Sequence, residues 1–381
     1  MNMMEQRKYL IGIHDTEISF VMEHNKILTI IIPTYNMEKY LRKCLDSLIV
    51  SDENMQRLEV LVINDGSKDS SSQIGHEYES KYPQTFRVID KENGNYGSCI
   101  NRGLKEAIGK YIKVLDADDY FVNDVFDVFV KFLLQNDVDL IVNDYCIVDE
   151  NDMVDETYTF DLPIDKVFRL SDFPKSMIEW LWHHGITYRT DLLRQLDYRQ
   201  TEGISYTDDE WIFKPMSIVN DVLYFPHDMY HYLVGREGQT FDPKVMKSSF
   251  DKRIIVGKSM AEFYGKVRDS FSEDAEFFLT EKLRARAFVI YNFYLTKQFS
   301  KEGNKLLKDF DLFMKDNASK VYEILGQSKN RLGGKNYICL WRDAGYKRTL
   351  YMRLRQLKFK MRIWLGKDYR NLHMPVVLMR K

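Results

Sequence analysis

The chain has 381 residues, of which 44% are hydrophobic and 14% aromatic, enough apolar material to exclude a disordered chain. Its length admits two domains, or one large domain with an appendage. Net charge is −2, but the eleven Lys/Arg against one acid, Asp368, between Tyr346 and Lys381 make that segment +10 and the preceding chain −12. An acidic body with a basic tail is expected to bring the tail to an anionic surface. The four cysteines, Cys44, Cys99, Cys146 and Cys339, are scattered without a C-x-x-C pair, which argues against a disulfide framework or a zinc site. With no secretory signal pattern and no apolar run near the ~20 residues of a spanning helix, a cytoplasmic setting is expected.

Residues 1–26 show no clean period and stand as an N-terminal extension. From Ile27 the rhythm is regular. "ILTIIIP" reads as a buried strand ended by Pro33, and Asn36 is placed to cap a helix whose apolar positions run from Met37 through Leu41 and Leu45 to Leu48. "LEVLVIN" is a second buried strand, broken by the turn cluster "DGSKDSSS", and "TFRVID" is a third. The glycine loop "ENGNYGS" precedes a helix carrying Ile100, Leu104 and Ile108, and "YIKVL" is a fourth strand. Such alternation predicts a parallel α/β sheet covered by helices, with ligands beyond the carboxyl ends of the strands. After Asp144 the pattern loosens into strands and turns, and from Asp242 it becomes helical and charged. The expected division is 1–26, a domain over 27–241, and a helical region over 242–381 that includes the tail 346–381.

Three polar clusters fall at the predicted strand ends: Pro33-Thr34-Tyr35-Asn36, Asp65-Gly66-Ser67 and Asp116-Ala117-Asp118. Asp116 and Asp118 offer hard oxygen ligands suited to Mg²⁺ or Mn²⁺, and Asp119 follows without an assigned role. Asp65 either shapes a turn or accepts a hydrogen bond from a nucleotide base. Gly94, Asn95 and Gly97 permit close backbone approach to an anion at a helix start. In "YTDDEW", Asp208 either caps a helix or acts as a general base. His183 and His184 beside Trp182 either contact substrate or pack at an interface, and Arg236 is a loop cation able to neutralise phosphate. In the tail, Leu350, Leu354, Leu357, Met361 and Trp364/Leu365 form one apolar stripe among basic residues. This predicts an amphipathic helix on an anionic membrane, ahead of packing on the protein's own body, with nucleic acid least favoured.

Together, "TIIIPTYNMEKYLRKCLDSL", "EVLVINDGSKDSS", "NGNYGSCINRGLKEAIGKYIKVLDADDYF" and "YTDDEW" resemble the family 2 glycosyltransferases of bacterial type, over roughly residues 27–235. The resemblance implies a GT-A fold, a nucleotide-sugar donor (usually a UDP-sugar), Mn²⁺ or Mg²⁺, and inverting transfer to a hydroxyl. It implies that Pro33, Thr34 and Tyr35 line the nucleoside pocket and that Asp65 contacts the base; Gly94 and Asn95, from the glycine loop, are expected to approach the nucleotide sugar. Asp116, Ala117 and Asp118 match the D-x-D segment, and Arg236 lies where relatives carry basic residues near the diphosphate. Asp208 matches the catalytic base, although Thr207 replaces the usual Glu before it and Asp209 is an adjacent alternative. Asn64 stands where the family usually has Asp.

The basic tail leads to the expectation of a glycan or lipid-linked saccharide acceptor, as in capsule, exopolysaccharide or cell-wall synthesis, with the protein peripheral on the inner membrane face. Two other readings compete: a sugar-phosphate nucleotidyltransferase, which would need a glycine-rich, Arg-bearing loop where "PTYNMEKY" stands, and a nucleotide-sugar-binding scaffold without catalysis.

Overall fold

The computed structural model describes residues 26–236, 243–297, 300–327 and 336–364. In chain order, strands β1 (Leu28–Thr34), β2 (Leu58–Asn64), β3 (Phe86–Asp90), β4 (Tyr111–Val114) and β5 (Tyr120–Phe121) alternate with helices α1 (Leu41–Asp46), α2 (Asp52–Met55), α3 (Ser71–Lys81) and α4 (Asn95–Glu106). Helix α5 (Asn123–Leu134) leads to β6 (Leu140–Val148), β7 (Val154–Tyr158), α6 (Lys175–Ile178), β8 (Ile186–Arg189), α7 (Thr190–Gln195), α8 (Asp208–Phe213) and β9 (Val222–Leu233). The rest is helical: α9 (Pro243–Val267), α10 (Glu273–Asn292), α11 (Lys301–Asn317), α12 (Ser319–Gln327), α13 (Tyr337–Asp343) and α14 (Leu350–Trp364).

Two compact units emerge, and both are discontinuous in sequence. Among the described residues, the first contains 26–93, 99–137 and 187–191; the second contains 94–98, 138–186 and those described between 192 and 364. In the first, β1 pairs in parallel with β2 and β4, β2 pairs in parallel with β3, and β8 pairs antiparallel with β4. The resulting order 3-2-1-4 is that of a doubly wound sheet. Every residue of β2 and β4 is buried, as expected for parallel strands covered on both faces. In the second unit β6 pairs in parallel with β9 and antiparallel with β7. Helices α9 to α13 surround a core that includes Phe278, Leu283, Phe310 and Trp341, all buried.

The sequence expectations hold for the first four strands, with small differences. β1 runs one residue past Pro33, to Thr34. Ile108 lies beyond the end of α4 and is exposed, since the helix stops at Glu106. Asn36 does not cap a helix. Its backbone is left-handed (φ 54°), its side-chain Oδ1 accepts the Lys68 N–H at 2.8 Å, and the following helix starts only at Leu41.

Candidate functional site

The first unit gathers three of the expected clusters at the carboxyl ends of β1, β2 and β4. Register explains this: Thr34 pairs with Asn64, and Ile31 pairs with Val114. The segments "PTYNME" and "DGSKDSS" are then laced together through polar contacts. Ser67 Oγ accepts the Asn36 N–H at 3.0 Å and Ser71 Oγ accepts that of Met37 at 2.7 Å. Asp69 accepts the N–H groups of Glu38 and Ser71, both at 3.0 Å, and Glu38 in return accepts that of Ser70. Burial pushes the Asp69 carboxyl up, but these hydrogen bonds outweigh it and hold the group below its ordinary range. The serine and acidic residues of this turn fix one loop against another.

Asp65 is 3% exposed and receives the Lys91 ammonium at 2.6 Å. Asn93 Nδ2 donates to the Asp65 carbonyl at 2.9 Å. Gly66 has φ 72°, and a Cβ there would approach the Asn93 nitrogen to 3.2 Å, so the turn needs glycine for both reasons. The Asn64 substitution acquires a physical reason. Its Nδ2 donates to Asp90 Oδ1 at 2.6 Å while its Oδ1 accepts the Ser67 N–H at 3.2 Å. An aspartate could perform only the second role and would face Asp90 with like charge.

At the end of β4, the Asp119 N–H donates to the Asp116 carbonyl at 2.9 Å, closing a tight turn around buried Ala117. Asp116 and Asp118 are half-buried and Asp119 is buried. Their field reaches Cys44, whose Sγ donates to the Asp116 carbonyl at 3.7 Å. Burial, then the charges of Asp119, Asp118 and Asp116, push that thiol well above its ordinary value. Clustered carboxylate oxygens at a strand end are the donor set a hard divalent cation takes, so the residues fit Mg²⁺ or Mn²⁺. Of the residues expected to line a nucleoside pocket, Thr34 is buried, Pro33 half-buried and Tyr35 exposed.

The second unit holds the other expected residues. The Gly203 N–H donates to Gly94 O at 2.9 Å, and Asn95 is left-handed (φ 65°). A Cβ on Gly97 would lie 2.0 Å from the Thr201 carbonyl oxygen, so backbone crossing here requires glycine. Thr201 in turn donates to Glu210 through its N–H at 2.6 Å and its hydroxyl at 2.9 Å. The glycine loop and the acidic motif are thus joined through one residue. Gly97→Ala is expected to destabilise the protein by about 1–3 kcal/mol, read as a lower urea midpoint at unchanged slope.

The three acids of "YTDDEW" have separate fates. Glu210 is fully buried and accepts from Lys214 at 2.9 Å, from Thr201 and from Ser259. Asp209 pairs with Arg286 at 2.6 Å. Asp208 accepts no hydrogen bond and forms no ion pair among the described residues. It does not cap the helix either, because it is the first helical residue and Thr207 is the N-cap. Burial raises the Asp208 carboxyl above its ordinary value, Asp209 adds to the rise, and His183, Arg286 and Arg253 oppose it.

Around this motif, His183 and His184 are buried with ring centroids 4.0 Å apart. His184 stacks on Tyr232 at 4.4 Å, and Trp211 packs edge-on against Tyr198. Arg253 lies over the Tyr206 ring at 4.6 Å. Lys282 is fully buried and donates to the carbonyls of Ile178 and Leu181 at 3.1 and 2.7 Å. Burial, then Arg286, lower it to about 7. Asp209, Arg253 and Arg286 line a small pocket walled by Val256, Met260 and Ile290. Arg236 follows Gly235 (φ 109°) after β9 and is half-buried.

Comparison with known proteins finds similarity to glycosyltransferases. The model for glycosyl transferase family 2 matches residues 29–196. The chain is 41% identical over 133 residues to an uncharacterized glycosyltransferase, MG025, of Mycoplasma genitalium, covering 34% of this chain and 43% of that protein. A second relative, the putative glycosyltransferase EpsH of Bacillus subtilis, is 26% identical over 262 residues, 64% of this chain and 73% of its own. The chain spans less than half the length of MG025 and of its Mycoplasma pneumoniae homolog, 43% and 36%. Among solved structures, S. aureus TarS 1–349 in complex with UDP-GlcNAc aligns with TM-score 0.66 and 21% identity, over 90% of this chain and 93% of that one. The fold is GT-A with a helical C-terminal region, as the motifs implied.

Lys91, Arg253, Lys282 and Arg286 were not identified as site residues from the sequence. Lys282 and Arg286 stand one helical turn apart in "EKLRARAF", among apolar residues. Cations at that spacing within an otherwise buried helix face are the signal that could have found them.

Proposed function

We propose that the protein is an inverting glycosyltransferase that moves a sugar from a UDP-sugar to a hydroxyl of a glycan or lipid-linked saccharide, in synthesis of a cell-surface polysaccharide. The observation that carries this reading is the division of labour in the acidic motif: Glu210 and Asp209 are committed to cations, and Asp208 alone is left to accept a proton. A carboxyl raised by burial and held near His183 and two arginines is suited to general-base work. Relatives named for glycosyl transfer and for minor teichoic acid biosynthesis support the reaction class and its setting. The UDP-GlcNAc complex of TarS, which shares the fold, supports a UDP-sugar donor.

In this reading the Asp65–Lys91 pair and the Pro33–Tyr35 segment receive the nucleoside, and Gly94 and Asn95 approach the donor. Asp116 and Asp118 would hold Mn²⁺ or Mg²⁺, which supplies neutralisation of charge on the departing diphosphate. Arg236 adds a further positive charge for that group. Asp208 takes the proton of the acceptor hydroxyl, and the freed oxygen attacks the anomeric carbon in a single displacement. UDP release from a UDP-sugar, measured with and without a saccharide acceptor, tests the reaction. Acceptor-dependent release is expected; nucleotide binding without any release would leave a binding scaffold instead.

The tail supports peripheral attachment to the inner membrane face. Leu350, Leu354, Leu357 and Met361 are 71, 58, 59 and 56% exposed, and Arg353, Arg355, Lys358 and Lys360 around them are exposed too. The opposite edge of α14 packs on the protein through buried Met352 and Gln356, whose Nε2 donates to the Lys297 carbonyl at 3.5 Å. Trp364 ends the helix, and Leu365 with the rest of the tail lies outside the described residues. No helix among the described residues is long and apolar enough to cross a membrane. The double substitution Leu354→Glu/Leu357→Glu is expected to leave the melting temperature unchanged and to reduce sedimentation with phosphatidylglycerol vesicles at least about tenfold. Unchanged sedimentation would remove the membrane from the account.

A further inference from the structure

Apart from the residues given roles above, the second unit holds a mixed side-chain cluster on β6 and β9. Cys146 and His231 are cross-strand partners in the β6–β9 register, and Asp228 lies three residues before His231. Their sulfur, nitrogen and oxygen ligand atoms all lie within 4.8 Å of one another. His231 Nε2 and Asp228 Oδ2 are 3.3 Å apart. That separation matches the edge of a tetrahedron whose metal–ligand bonds are about 2.0–2.1 Å. The second carboxylate oxygen, Asp228 Oδ1, is buried, and the Cys146 thiol hydrogen-bonds to the Asp228 carboxylate, so all three side chains already face one another.

We propose that Cys146, Asp228 and His231 form a zinc site, with Zn²⁺ bound by the thiolate, one carboxylate and one imidazole, and a fourth position left to water. The donor set favours zinc over the hard cations suited to Asp116 and Asp118, because thiolate and imidazole are soft and borderline ligands. Entry is open: the Asp228 and His231 side chains are 34% and 16% exposed, while Cys146 is buried beneath them. Binding releases the Cys146 proton to solvent and forms the Zn–S bond. Without metal the buried thiol, beside Asp228, is held well above its ordinary value and stays protonated. No C-x-x-C signature exists because the ligands come from two strands, joined only by their register.

The bound ion would brace β9 against β6. That matters because Tyr230 and Tyr232 of β9 and Tyr145 of β6 all pack on His184, at 4.7, 4.4 and 5.4 Å. Zinc therefore fixes the strand pair on which the histidine pair rests.

Cobalt titration of the metal-stripped full chain tests the site. Co²⁺ is expected to produce thiolate-to-metal charge-transfer absorption that Zn²⁺ abolishes by displacement. Cys146→Ser should remove that absorption, and His231→Gln or Asp228→Asn should each weaken Co²⁺ binding at least about tenfold. Zn²⁺ should raise the melting temperature of the wild type but not of Cys146→Ser. Cobalt held by Asp116 and Asp118 would give no thiolate band, so the two sites are distinguishable whatever the outcome for sugar transfer. No charge-transfer band in the wild type, a band that survives Cys146→Ser, or affinity unaffected by His231→Gln and Asp228→Asn would overturn the proposal.

Discussion

Asp208→Asn is expected to lower turnover by about 10²–10⁴-fold while leaving UDP-sugar binding and folding intact. The change is isosteric and removes a charge that burial already disfavours, so stability should hold or rise slightly. Asp209→Asn separates the adjacent alternative. It leaves the Arg286 guanidinium without its 2.6 Å partner, and is expected to destabilise the fold. Steady-state rates and urea midpoints for the two variants therefore diverge in opposite directions. The pH profile follows from the same geometry. A base must be ionised, and the Asp208 carboxyl is raised by burial and by Asp209, so kcat/KM should rise along a limb above the ordinary carboxylate value of ~3.9. That limb should vanish in Asp208→Asn.

Glu210→Ala is expected to carry the largest stability cost, about 3–5 kcal/mol. Glu210 is fully buried, and its loss leaves Lys214 without its carboxylate and strips two hydrogen-bond acceptors from Thr201. Glu210→Gln should recover part of the loss, since an amide oxygen still accepts from Thr201 while the charge pairing with Lys214 is gone. Because Thr201 also meets Gly97, activity should fall with stability in Glu210→Ala. Urea unfolding and turnover measured on the same samples check this coupling.

What the sequence showed depended on how local each signal was. β1, β2 and β4 were legible because runs such as "LEVLVIN" carry the whole instruction for a buried parallel strand. The strand-end clusters were legible for the same reason, since parallel register places successive strand ends on one edge. Asn36 was misread as a cap because its partner, Lys68, lies in a different loop, and no local pattern reports a left-handed residue bridging two turns. Ile108 continued the helical spacing, but Gly109 follows, and its backbone packs against Thr29 so closely that a Cβ would lie 2.5 Å from the Thr29 nitrogen. The surroundings of Asp208 were not legible, because Arg253 and Arg286 come from helices formed much later in the chain. Asp208 and Asp209 read alike in sequence, and only the ion pair to Arg286 tells them apart.

The central claim, a UDP-sugar donor held at the carboxyl ends of β1, β2 and β4, is tested most directly by nucleotide-sugar binding. Thermal shift with Mn²⁺ across UDP-, GDP- and dTDP-sugars is the measurement, on wild type and on the double variant Asp116→Asn/Asp118→Asn. Saturating UDP-sugar at about 100 Kd should add about 2.7 kcal/mol of stability to the wild type, with smaller effects from the other nucleotides and most of the gain lost in the variant. Equal shifts with every nucleotide sugar, no shift with any, or a full shift in the variant would contradict the account.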